Sequence, residues 1–204
     1  GTAQAFPVDA TDYTANNDFS AANQIGATDN FIVYEGTGTT FTLSGLEDFQ
    51  EYSIDVYVFN DNGFCYENTG ETVTETTLCD PATTEVTGTS STVDSFEEIT
   101  LNWTIDGAGN NVLIIARETA TSAQAPTSNT DYSENDQFGS GQELGTGNFA
   151  VYDGNATTVT VTGLSELTDY SFDIYEYNPT RGGFCYNTTA VTLSETTVCE
   201  PPES

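Results

Sequence analysis

Several stretches of the chain alternate apolar and polar residues with a period of two, which puts one face of an extended strand into a core and the other into water. In EEITLNWTI (97–105), Ile99, Leu101, Trp103 and Ile105 share one face. NVLIIARE (111–118) is almost continuously apolar, as expected of a strand covered on both faces in the middle of a sheet. In 169–178 the core face is supplied by Tyr170, Phe172 and Ile174 with the ring of Tyr175 or Tyr177, while Asp173 and Glu176 are expected to face outward. With 83–88, 148–153, 157–163 and 184–194 these segments predict seven strands. Gly, Asn, Asp and Pro punctuate them in DGAGNN (106–111), DGNA (153–156) and NPTRGG (178–183). No segment has a convincing helical period, so the expected class is an all-β Greek-key sandwich.

The pattern recurs along the chain. DYTANNDF (12–19) matches DYSENDQF (131–138), and NFIVYEGTGTTFTLSGLEDFQEYSIDVYVFN (30–60) matches NFAVYDGNATTVTVTGLSELTDYSFDIYEYN (148–178). GFCYENTGETVTETTLC (63–79) then matches GFCYNTTAVTLSETTVC (183–199), a step of about 120 residues. The copies are unequal. Residues 79–204 read as a complete module, whereas 1–78 read as a partial one with later strands only, lacking the first three. Ahead of the first DY motif stands GTAQAFPVDAT, which resembles TATSAQAPTSNT (119–130).

Charge narrows the function classes. There are 32 acidic side chains against two basic ones, Arg117 and Arg181, with no Lys or His, for a net charge of −30. Phosphate backbones are gripped by Lys and Arg, so no nucleic-acid partner is expected. Anionic membrane surfaces would repel such a chain, and no apolar run is long enough to insert. Aromatics at 12% argue for a folded protein rather than an acidic disordered one.

Catalytic chemistry finds little material. Without His or Lys there is no common general base, triad partner or Schiff-base amine. Carboxylate pairs such as Glu97–Glu98 are expected by chance among so many acids, so no enzyme and no resident cofactor is expected. Oxygen-rich loops are the one opening for metal: Asp12, Asn16, Asn17 and Asp18 recur as Asp131, Glu134, Asn135 and Asp136. Hard Ca²⁺ prefers such ligands, while the competing reading is turn chemistry, with Asp and Asn capping their own backbone. Asp61 and Asn62 form a weaker second candidate. Tyr66 and Tyr186 are candidates for stacking on surface glycans, against a role in packing.

These residues resemble a known family. Leu164 followed six positions later by Tyr170, and Leu46 by Tyr52, resemble the Leu and corner Tyr of fibronectin type III modules. Trp103 in LNWT matches that family's inward Trp. The phrases ELGTGNFAVYDG and VTGLSELTDYSFDIYEYN are similar to modules of large surface and secreted proteins of Bacteroidetes bacteria, associated with type IX secretion. The resemblance implies tandem fibronectin type III-like sandwiches with Trp103, Leu46, Tyr52, Leu164 and Tyr170 as structural core. It also implies an extracellular or cell-surface location and a structural or adhesive role. Partners would be neighbouring modules or other copies of the chain, the latter by strand complementation into a filament.

In such a module Cys185 lies at the entry pole and Cys199 at the far end of the last strand. Fourteen extended residues span up to about 45 Å, whereas bridged Cα atoms lie about 5–6 Å apart. Cys79, just before the first strand, shares the pole of Cys185, which favours Cys79–Cys185 and leaves Cys65 and Cys199 for neighbouring modules. Repeat logic keeps Cys65–Cys79 with Cys185–Cys199 open, provided the last strand folds back. Either pattern fits an oxidising compartment.

Overall fold

The computed structural model describes residues 5–27, 29–60, 62–67, 69–81, 84–106, 110–179 and 183–200. Asp61, Arg181 and parts of the turns at 106–111 and 178–183 lie outside them. Chain contacts divide the molecule into unit 1, Gly1–Leu78, and unit 2, Cys79–Ser204.

Unit 1 holds a single-turn 3-10 helix at Phe19–Ala21 and six strands: β1 (Asn23–Gln24), β2 (Phe31–Ile32), β3 (Glu51–Val56), β4 (Phe59–Asn60), β5 (Cys65–Tyr66) and β6 (Glu71–Thr76). They form three separate antiparallel pairs, β1–β2, β3–β6 and β4–β5. Among its described residues the one buried side chain is Asp48; none of the apolar ones is.

Unit 2 is a two-sheet sandwich. Its strands are β7 (Thr87–Val93), β8 (Ile99–Thr104), β9 (Asn111–Glu118), β10 (Glu143–Gly145), β11 (Asn148–Gly154), β12 (Thr158–Val161), β13 (Asp169–Tyr177) and β14 (Val191–Thr196). One sheet runs β12-β8-β7 and the other β10-β11-β9-β13-β14, with every pairing antiparallel. This is a fibronectin type III-like, immunoglobulin-like arrangement. Ile99, Leu101 and Trp103 of β8 meet Val112, Ile114 and Ala116 of β9 and Tyr170, Phe172 and Ile174 of β13 in the inter-sheet core.

Three sequence expectations shift. The first strand lies at Thr87–Val93 rather than 83–88, and the last begins at Val191 rather than at 184. Neither Asp173 nor Glu176 reaches solvent; both are buried. Tyr175 and Tyr177 do not join the inter-sheet core but lie on the opposite face of β13. The reason is a second cluster on the outer face of the five-stranded sheet. There Leu113, Ile115, Ala150, Tyr175 and Tyr177 are covered by Tyr132 and Leu144 of the β9–β11 connection and by Tyr186. Every residue of β13 from Tyr170 to Tyr177 is therefore buried.

Candidate functional site

Two places stand out: the pole of unit 2 where the module begins, and the uncovered sheet of unit 1.

At the pole, a disulfide joins Cys79 to Cys185, 106 positions apart in sequence, with Cα atoms 5.7 Å apart. Cys185 belongs to the turn after β13, which folds back through a bridge between Tyr177 and Tyr186. Polar groups fasten the same two segments. Buried Glu176 accepts from Thr84 Oγ1 at 3.1 Å and from Asn110 Nδ2 at 2.5 Å, while Asn187 donates to the Thr84 carbonyl at 2.7 Å. Thr189 donates to Glu85 at 2.5 Å. The entry segment is thus tied covalently and by hydrogen bonds to the last hairpin. Cys65 and Cys199, which occupy the equivalent places in the repeat, are free and exposed.

Next to this pole is a tyrosine–carboxylate cluster. Tyr177 donates to Asp153 at 2.5 Å and accepts from Asn111 Nδ2 at 3.3 Å. Burial raises the Asp153 carboxyl from 3.8 to about 6; the Tyr177 hydrogen bond opposes the rise, and the nearby charges of Glu134 and Asp131 add to it. Burial foremost also pushes the Tyr177 and Tyr186 hydroxyls well above their ordinary range, so both remain donors at neutral pH. Tyr186 donates its hydrogen bond to the Thr130 carbonyl at 2.9 Å. It is buried, packed against Tyr177 and Tyr132, and offers no face to a sugar, so of the two roles open to it in the sequence it takes the one in packing. Tyr66 is half-buried and bonded likewise to the Thr11 carbonyl at 3.0 Å.

The oxygen-rich loops serve the backbone. Asp18 caps the 3-10 turn, accepting from Ser20 N at 3.1 Å, and Asn16 Oδ1 accepts from Asp18 N at 3.0 Å. Asn135 Oδ1 accepts from Gln137 N at 2.9 Å in the second copy. Asp12, Asp131, Glu134 and Asp136 are exposed. Among the described residues no three carboxylate, Cys or His side chains converge in a way that could hold a metal ion.

The residues of the expected structural core divide by unit. Trp103, Leu164 and Tyr170 are buried, and Tyr170 Oη accepts from Ser165 N at 3.0 Å, making the corner. Tyr52 makes the same bond with Glu47 N at 3.1 Å, yet Tyr52 and Leu46 are only half-buried.

In unit 2, β13 lies between β9 and β14; among the described residues its counterpart β3 pairs only with β6. Likewise β11 pairs with β10 and β9, whereas among the described residues β2 pairs only with β1. Val56 is 54% exposed where the matching Ile174 is 1% exposed. Val58, Val73 and Phe41 are exposed too. Period-two alternation announces an apolar face but does not say what covers it. The openness of unit 1 was therefore legible only through the comparison of the two copies.

Comparison with known proteins finds no matching family model and no matching curated protein. Solved structures do match. The FN1–FN3 domains of chicken CNTN1 align at 15% identity and TM-score 0.42 over 78% of this chain and 46% of that one, so the chain spans about half their length. The fn3 domain of human contactin 1 aligns at 12% identity and TM-score 0.41, over 61% of this chain and 87% of that one. Domains d3–d4 of rat CD45 align at 14% identity and TM-score 0.37, over 87% and 84%. Likenesses this distant say nothing about function.

Proposed function

We propose that the chain is a structural and adhesive repeat of a large extracellular or cell-surface bacterial protein, working by spacing and display rather than by catalysis. One observation carries this reading. The module entry is fastened covalently to the module's own last hairpin through Cys79–Cys185, while the equivalent Cys65 and Cys199 stand exposed. A cysteine pair that recurs once per repeat in the sequence suits a protein assembled outside the cell, where disulfides persist. The surface charge keeps such an array soluble and self-repelling. The repeat phrases similar to Bacteroidetes surface modules support that source and export by type IX secretion.

The test is disulfide mapping on protein taken from intact cells, together with labelling by a membrane-impermeant reagent. The expected result is surface labelling, with Cys65 and Cys199 peptides linked to cysteine peptides of neighbouring repeats. Recovery of Cys79 and Cys185 as free thiols from an unlabelled internal fraction would overturn the reading.

A further inference from the structure

We infer that unit 1 is the acceptor half of a sandwich, completed by a three-strand segment of the 79–118 type contributed by a further repeat of the array. On this inference the segment's leading cysteine bonds to Cys65. The source of the segment rests on the array reading above; its chemistry does not.

Unit 2 shows what covers such a face. Seven of the thirteen buried residues in its inter-sheet core, Val86, Ile99, Leu101, Trp103, Val112, Ile114 and Ala116, lie within 86–116. Tyr170, Phe172 and Ile174 pack against them. Their counterparts Tyr52, Ile54 and Val56 carry the same alternation, yet Tyr52 and Ile54 are only half-buried and Val56 is exposed. An edge strand with an apolar face invites pairing, and here the pairing partner has a known register: β9 lies antiparallel on β13 from Tyr170↔Glu118 to Tyr177↔Asn111.

Charge supplies an independent reason. On β13, Asp173 accepts from Thr192 Oγ1 at 2.6 Å and from Arg117 Nε of β9 at 3.0 Å. At the same place on β3, Asp55 accepts from Thr72 Oγ1 at 2.5 Å, with no guanidinium beside it among the described residues. An incoming β9-type strand would bring an Arg to Asp55. It would also bring its cysteine to the position that Cys79 holds beside Cys185, and Cys65 is the free counterpart of Cys185. A second copy of the present chain is a poorer donor. Its own β9 is already held between β11 and β13, its β7 and β8 already lie with β12 in the facing sheet, and its Cys79 is already bonded.

The experiment mixes the full chain with a polypeptide of sequence 79–118 under mild oxidation. A 1:1 complex is expected by native mass spectrometry, with the polypeptide's cysteine linked to Cys65 and slowed amide exchange over 51–56. Asp55→Asn in the chain, or Arg117→Ala in the polypeptide, should weaken the non-covalent complex by about 30-fold or more, the loss expected on breaking a buried charge pair. If the polypeptide precipitates alone, the same segment fused ahead of residue 1 replaces it, read by the Cys65 linkage and by amide exchange over 51–56. Absence of binding together with unchanged exchange in the fusion overturns the inference. So does a homodimer of the chain alone, with Cys65 linked to its partner's cysteine. Neither result touches the cell-surface test, which depends on where the native cysteines are oxidised.

Discussion

The Cys79–Cys185 bridge should govern how the chain responds to force. It closes a loop of 106 residues that contains all of β7 to β13. Tension arriving at Cys79 crosses the bridge to Cys185 and leaves along β14, so the covalent load path bypasses β7 to β13. With the bridge intact, unfolding unit 2 releases only the chain beyond Cys185. After reduction the closed loop is freed, adding about 350–380 Å at 3.3–3.6 Å per residue. The same perturbation has a thermodynamic counterpart: a loop of this length restricts the unfolded ensemble by about 5 kcal/mol in the chain-entropy account. That predicts a fall in melting temperature on the order of 15 °C for a module of this size. Single-molecule pulling from the two ends, with and without reductant, reads the length; calorimetry of the chain and of Cys185→Ser reads the stability. Equal unfolding lengths under both redox conditions would refute the load path. An unchanged melting temperature for Cys185→Ser would refute the stability argument.

Arg117→Ala should destabilise unit 2 by about 3–5 kcal/mol by stranding buried Asp173, with partial recovery in the double variant carrying Asp173→Asn; urea titration with both single variants checks this. Asp153→Asn should stabilise unit 2 at neutral pH and change little below pH 4. The carboxyl is raised from 3.8 to about 6 in the fold, so wild-type stability is full below 3.8 and declines as pH rises through 6. That difference corresponds to about 3 kcal/mol, which solvent screening of a partly exposed group reduces to about 1–2, and melting curves across pH 3–8 decide it. Tyr170→Phe removes the acceptor for Ser165 N and should cost about 1 kcal/mol, whereas Tyr52→Phe in the open unit should cost less than half of that in denaturant titration.

What could be read along the chain was the alternation, and it held where a face had one determinant. Ile99, Leu101 and Trp103 point inward because β8 has a core on one side only. Reading failed where a second layer was added from far away in sequence. Asp173 looked solvent-facing by parity, and it does lie on the outer face of its strand; a connecting segment without any period covers that face and supplies no warning. Buried there, the carboxylate needs a cation, and Arg117 of the adjacent strand meets it at 3.0 Å. Strand β7, TGTSSTV, escaped because it has almost no apolar residues to mark it; backbone pairing with β8 defines it.

The two copies form an internal control on what alternation encodes. Tyr52, Ile54 and Val56 carry the same pattern as Tyr170, Phe172 and Ile174, pair with β6 as those pair with β14 in the matching register, and Tyr52 makes the same tyrosine corner as Tyr170. Local sequence thus suffices for the strand, its hairpin partner and its corner. It does not suffice for burial, which in unit 2 rests on residues within 86–116 that supply seven of the thirteen buried core residues. The disulfide follows the same division: Cys65 sits in the same hairpin context as Cys185, yet Cys185 is bonded because the segment carrying Cys79 is present at its pole. Core, charge pair and disulfide all depend on that one segment, so supplying it to unit 1 should restore all three together, and restoring only one would show that they are separable.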